Sequence, residues 1–250
     1  MTLRLGIISD IHMRSGFREE IAAELDRVVE QLQRFDPDLV VMLGDSIEDE
    51  TAQLDREHIE MVREHLSFGP PLRMLGGNHD VINLSLETLE SLFGHPLDDV
   101  VRMKNETLVF LNSVTHRLGN PRGEISVDGF ELLRELDPDE PVTVFTHHPL
   151  HYRDVSDTVW WATRPEEAFC GNKRAVNEVF EELSVRCVIN GHLHDANHTV
   201  YKGVDHVTIN AFSKEKPDVP ITGTYAEVEI EETIRVEMKV GSETMAYYEI

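Results

Sequence analysis

Five short segments of this 250-residue chain carry carboxylate, imidazole or amide side chains in groupings able to hold a divalent cation. Each follows an apolar run that reads as a β-strand. Asp10-x-His12 comes after residues 3–8, Gly44-Asp45 after 38–43, Gly77-Asn78-His79-Asp80 after 72–75, His147 after 141–145, and Gly191-His192-x-His194 after 185–189. In extended backbone, residues two apart point the same way, which puts Asp10 beside His12 and His192 beside His194, each pair facing one ion or one cavity. Gly44 lets the chain turn beneath Asp45, whose two oxygens are able to bridge two ions. His147 and His148 are adjacent and face opposite ways, so one of them is the natural ligand, and the first is the choice. Oxygen and nitrogen donors without a thiolate admit Mn, Fe, Zn, Co or Ni, with Mn or Fe preferred. Strand carboxyl ends are where α/β sheets build their sites, and five such pieces in order are hard to reconcile with a purely structural role.

The elements that must position these segments alternate along most of the chain. Ile21, Leu25, Val28, Val29 and Leu32 recur at helical spacing, predicting a helix over 17–34 that Asp36-Pro37 ends. Further helices are expected over 54–66, 86–93 and 173–183, and strands over 100–103 and 107–111. Residues 113–129 read as a polar surface loop in which His116 is incidental, and 150–171 as an irregular loop carrying Tyr152, Arg153, Trp160, Trp161 and Arg164. His58 and His65 read as helix-surface histidines. His148, His151 and His198 stand near the ligand segments and admit either a supporting or a structural role. From His198 onward apolar and polar residues alternate, predicting antiparallel strands and hairpins. Strands alternating with helices, then a run of β, predict an α/β fold of two facing sheets between helices. A single domain over 1–250 is expected, with 213–250 as its β-rich C-terminal part.

Asp and Glu total 47 against 23 Lys and Arg, a formal charge of -24. Such a field repels polyanions, so long nucleic acids and anionic membranes are disfavoured as partners unless a local patch or bound metal reverses it. An acidic, lysine-poor surface suits a salt-rich cytoplasm, the habitat of a halophile. Two cysteines, Cys170 and Cys187, are too few for a disulfide framework. No secretory signal and no run long enough to cross a bilayer is visible, and loss of an N-terminal leader would remove Asp10 and His12. A cytoplasmic location is the expectation, as a monomer or a homodimer.

The five segments resemble the signature of the calcineurin-like metallophosphoesterase family, D-x-H, G-D-x-x-D, G-N-H-D/E, H and G-H-x-H. The resemblance spans Asp10 to His194 and implies a four-layer αββα sandwich of two mixed sheets flanked by helices. It implies two divalent ions, one held by Asp10, His12 and His194, the other by Asn78, His147 and His192, with Asp45 touching both. One departure is that the closing acid of the second motif is Glu48, followed by Asp49, which puts its supporting role in doubt. The implied chemistry is in-line attack on phosphorus by a metal-bridging hydroxide. His79 would stabilise charge or protonate the leaving oxygen, with Asp80 orienting it. Within the family the chain looks like the class III cyclic-nucleotide phosphodiesterases, so a small phosphodiester is the expected substrate. Asn78 and His79 would meet its phosphate, while Trp160 and Trp161 would stack a base beside Tyr152 or Arg153. The alternatives are a broad phosphomonoesterase or nucleotidase, a nuclease, and a metal-binding scaffold without catalysis.

Overall fold

Two six-stranded mixed sheets face each other, and helices cover both outer faces. The computed structural model describes residues 1–115, 122–216 and 219–250, so His116 lies outside the described residues. In chain order the strands are β1 (Leu3–Ile8), β2 (Leu39–Met42), β3 (Leu72–Met74), β4 (Asp99–Met103), β5 (Glu106–Leu111), β6 (Pro141–Thr146) and β7 (Ser184–Asn190). They continue as β8 (Asn197–Tyr201), β9 (Val204–Thr208), β10 (Ser213–Lys216), β11 (Val219–Ile221), β12 (Thr224–Ile230), β13 (Ile234–Val240) and β14 (Glu243–Glu249). The helices are α1 (Arg18–Phe35), α2 (Ala52–Leu66), α3 (Leu86–Phe93), α4 (Val127–Arg134) and α5 (Lys173–Phe180). One sheet runs β14-β13-β12-β1-β2-β3 and the other β4-β5-β6-β7-β9-β8, with β10 and β11 forming a separate hairpin. Within them β1, β2 and β3 are mutually parallel, as are β5, β6, β7 and β9. All five ligand segments therefore leave the carboxyl ends of parallel strands.

The strand period of two builds the layers. On β5, Leu108 and Phe110 enter the core between the sheets, whereas Val109 and Leu111 pack with Leu133, Val176 and Phe180 of α4 and α5. On β1, Leu3, Leu5 and Ile7 face the same central core, and Gly6 turns toward α1, where a Cβ would stand 2.8 Å from Leu32. Ile21, Leu25, Val28 and Leu32 are the buried stripe of α1, matching the spacing read from the sequence. Together these packings make the four-layer αββα sandwich. Among the described residues no helix is long and apolar enough to cross a membrane.

Two local expectations need correction. Residues 127–129 begin α4 rather than extending a loop: Ser126 accepts the Gly129 N–H with its side chain, a helix-opening cap. His58 is fully buried, not on the helix surface. It shares one face of α2 with Asp55, Ile59, Val62 and Leu66, and Asp55 there accepts the Glu50 N–H and the Asn83 amide, each at 2.9 Å.

His151 and His206 are also buried, their rings 5.1 Å apart, and neither ring nitrogen of either residue has a hydrogen-bond partner among the described residues. Burial pushes His151 down to about 4 and His206 down to about 3. Both stay neutral in the fold while the unfolded chain takes protons near pH 6.5, so stability falls as pH drops from about 6.5 toward 4. Replacing His206 by Phe should remove about 1–2 kcal/mol of the stability lost between pH 7 and pH 5. Urea unfolding at the two pH values measures this; an unchanged loss would mean that His206 titrates normally.

Candidate metal centre

Past the last ladder pair of β1 and β2, Ile8 with Met42, the chain leaves extended conformation. Asp10, His12, Asp45, His192 and His194 all have φ between 48° and 71°, so the pairs do not face their cavity by strand alternation. They do so from left-handed backbone held by cross-links: Asp10 N–H donates to Gly44 O at 3.1 Å and His12 N–H to Asp45 O at 3.0 Å. Each such residue costs roughly 1–2 kcal/mol relative to right-handed backbone. Five of the ten non-glycine residues with positive φ among those described are these five, and strain so concentrated marks a place shaped for a purpose other than stability. Gly77 fits beneath Asp45 because a Cβ there would lie 2.1 Å from the Asp45 nitrogen.

The two sheets meet at this point. His147 Nδ1, from the end of β6, donates to Leu43 O at 2.8 Å, and His192 N–H donates to Asp10 Oδ2 at 3.1 Å. The donor on Nδ1 leaves His147 Nε2 facing two oxygens, Asp45 Oδ2 at 3.4 Å and Asn78 Oδ1 at 3.3 Å. Likewise His194 Nδ1 donates to Lys214 O at 2.9 Å, and its Nε2 faces Asp10 Oδ1 at 3.3 Å and His12 Nε2 at 3.2 Å. Imidazoles that bind metals ordinarily anchor the other ring nitrogen to a carbonyl in this manner. Asp45 Oδ1 accepts the His79 backbone N–H at 2.9 Å, so the oxygen lying between the two halves is Oδ2, 3.9 Å from His12 Nε2. A single oxygen, rather than one from each side of the carboxylate, is thus placed to touch both.

Side-chain donors gather here in overlapping groups: Asp10, His12 and His194; Asp10, Asp45 and His147; His147, His148 and His192; and His12, Glu48 and His79. The field favours positive charge among them. Burial alone would raise Asp45, yet the imidazoles of His147, His79 and His12 hold it well below the usual carboxylate range. Burial pushes His147 down, but Asp45 and then Asp10 bring it up to about 9. A divalent cation would meet the same demand more fully, displacing that proton. Burial drives His12 down to about 4 and, with the neighbouring His148 and His147, holds His192 well below its ordinary value. Both rings are therefore neutral, as a ligand must be. The residues present fit a pair of divalent ions.

The sequence matches the pattern of the calcineurin-like phosphoesterases over residues 3–196. The chain belongs to that family. Among solved structures, the phosphoesterase fold superposes on a dimetal phosphatase from Danio rerio with a TM-score of 0.76 at 19% identity, covering 97% of this chain and 98% of the other. It superposes on the purple acid phosphatase PPD1 of yellow lupin with a TM-score of 0.70 at 12% identity, covering 100% of this chain and 54% of that one. A third is TT1561 of Thermus thermophilus, with a TM-score of 0.60 at 10% identity, covering 96% and 100%. No curated protein sequence matches the chain significantly. The family depends on dinuclear metal centres, in keeping with the donor groups described.

Around those groups the phosphoesterase departs from the sequence reading at four places. His79 is braced by Asp49, whose Oδ1 lies 2.6 Å from His79 Nδ1, and not by Asp80. Asp80 points down, accepting the backbone N–H groups of Gly77, Ser46 and Ile47 at 2.8–3.3 Å, and so joins the loops after β2 and β3. Glu48 does support the site, with Oε2 3.2 Å from His12 Nδ1 and 2.6 Å from Lys214 Nζ. His148, past the end of β6 where alternation no longer holds, turns its ring to within 4.4 Å of the His192 ring and lines the same cavity.

That cavity, of about 570 Å3, opens over His12, Asp45, Asn78, His79, His192 and His194. Trp160 and Trp161 line it: Trp161 lies 4.4 Å from the His192 ring, and Trp160 Nε1 donates to Lys214 O at 3.1 Å. Trp161 also anchors its loop, buried with Val155, Ala168, Phe169 and Leu193. Tyr152 and Arg153 are not in the lining; Tyr152 is exposed over Phe169, and Arg153 is tied to Asp195 beside His194. Lys214, Arg122 and Asp49 are what the sequence reading missed. Only Asp49 had a visible signal, one acid displaced by a single position from the family's pattern.

Proposed function

We propose that this protein hydrolyses a small phosphodiester, cyclic nucleotides among the class, at the cavity floor. Asp10, His12 and His194 would hold one divalent ion, Asn78, His147 and His192 the second, and Asp45 would serve both; Mn or Fe is the preferred metal. When bound, such a pair supplies an acidified water and charge to draw on the phosphoryl oxygens.

The chain's own residues do the rest. His79 is the observation that carries the reading: it lines the cavity with Nδ1 engaged by Asp49, leaving Nε2 for substrate. Burial pushes His79 down, but Asp45, the Asp49 bond and Glu48 outweigh it and bring it up to about 9, so the ring holds a proton to give. As water oxygen bonds to phosphorus and the ester bond on the opposite side breaks, that proton passes from Nε2 to the departing oxygen. Apolar lining comes from Val81 and Ile82 after β3, Val114 after β5 and the tryptophans after β6, giving the arms of a diester surfaces to pack on. The names of the similar phosphatases favour a second reading, a broad phosphomonoesterase or nucleotidase. Rates on bis-p-nitrophenyl phosphate and p-nitrophenyl phosphate with added Mn2+ decide between them: the diester is expected to have the higher kcat/KM, and the opposite order would transfer the assignment to monoesters.

A further inference from the structure

We infer that the substrate carries a second anionic group beyond the phosphoryl under attack, and that Arg122 and Arg164 receive it; this rests on the phosphoesterase reading of the cavity floor and narrows it to esters with a further phosphate or carboxylate, which a simple cyclic mononucleotide lacks. The cavity volume of about 570 Å3 falls in the range, about 300–1,000 Å3, that encloses a whole drug-sized ligand, well beyond the needs of one phosphoryl group. Among the described residues its lining contains three basic residues, Arg122, Arg164 and Lys214, and a single acid, the candidate ligand Asp45. The chain as a whole has 47 acids to 23 bases, so the reversal of sign is local.

Lys214 is committed to the frame of the floor through Glu48, His194 and Trp160. The two arginines reach the cavity from separate segments, one preceding Gly123 and the other in the tryptophan loop. Arg122 lies across Gly171, where a Cβ would stand 2.4 Å from its Nε, so that glycine makes room for the guanidinium. Positive charge gathers there: burial lowers the Lys173 pKa first, and the nearby Arg122 lowers it further. Arg164 stands 5.8 Å over the Trp161 ring, which itself packs on His192, so a guanidinium and a candidate metal ligand share one indole. Its pairing with Glu167 at 3.2 Å is partly exposed, the kind of ion pair that yields readily to a better anion. Planar guanidinium groups bind phosphate and carboxylate oxygens two at a time, which suits a compact anion. The overall charge still repels long polyanions, confining the class to small molecules.

Thymidine 5′-monophosphate and thymidine 3′,5′-bisphosphate differ only in a second phosphate, and calorimetry on the Mn2+-loaded protein compares them, with phosphate release assayed in parallel so that hydrolysis of either monoester is separated from binding. The bisphosphate is expected to bind at least about tenfold more tightly, as charge-assisted contacts of this type provide. In the Arg122→Ala/Arg164→Ala double variant the two affinities should converge, and the Arg122→Lys/Arg164→Lys variant, which keeps charge and bulk, should retain part of the preference. Equal affinities in the unaltered protein, or a preference undiminished by the alanine pair, would overturn the inference. A preference that survives in a protein inactive on every ester would instead remove the catalytic reading while leaving the anion site in place.

Discussion

Replacing His79 by alanine is expected to lower kcat by about 10²–10⁴-fold while both metal ions stay bound. The imidazole lines the cavity floor with its Nδ1 engaged by a carboxylate outside the proposed ligand set, Asp49 at 2.6 Å. It also belongs to a donor group with His12 and Glu48, and ligation there is the competing role. Two features argue against it. His12 is already shared with His194, 3.2 Å away, and Glu48 is drawn off by Lys214 at 2.6 Å. Metal content measured alongside turnover separates the roles, since a ligand would take an ion with it. The leaving group supplies a second check. p-Nitrophenolate departs without a proton, whereas an alkoxide does not, so the loss should be larger on an alkyl ester than on a nitrophenyl one. Equal losses on both would assign His79 to stabilising phosphoryl charge in place of proton transfer. Asp49→Asn keeps the shape of the dyad and removes its charge, and should cost less than the alanine, about tenfold.

The convergence of the candidate ligands was legible because aliphatic runs such as Leu39–Met42 read as buried parallel strands, whose ends are the loops. How those loops present their side chains was not. Asp and His, like Asn, enter left-handed backbone more readily than most side chains, but they sit as readily in extended backbone, so their type does not say where a strand stops, and alternation does not reach Asp10-x-His12 or His192-x-His194. His58 was misplaced for a different reason. Its spacing with Asp55, Ile59, Val62 and Leu66 is that of one helix face, but a polar residue type outweighed the period, and buried polar groups on such a face are readable only through partners such as Asn83 that lie far along the chain. Asp49 and Asp80 exchanged roles in the same way. Sequence adjacency suggested that Asp80 braces its neighbour His79, whereas the turn from Gly77 to Asp80 aims that carboxylate at three backbone N–H groups instead.

Asp45→Asn should abolish measurable activity and empty the centre while leaving the fold intact. Asparagine suits the substitution because it tolerates the left-handed backbone at φ 50° and keeps an oxygen for the His79 backbone N–H. What it loses is the charge on Oδ2, the atom 3.4 Å from His147 Nε2 and 3.9 Å from His12 Nε2. With an amide there, the largest source of the field that lifts His147 to about 9 is removed, and Asp10 alone among the carboxylates still acts on it. Thermal unfolding reads the difference directly. In the unaltered protein, Mn2+ at about 100 times its Kd adds about 2.7 kcal/mol per site, a Tm rise on the order of 5–10 °C for a chain of this size. The variant should show little or no rise and should retain less than one ion by mass spectrometric metal analysis. An Asp45→Asn protein that kept both ions and the full Tm response would place the shared ligand elsewhere, and Asp10, which stands in two of the donor groups where Asp45 stands in one, would be next to test.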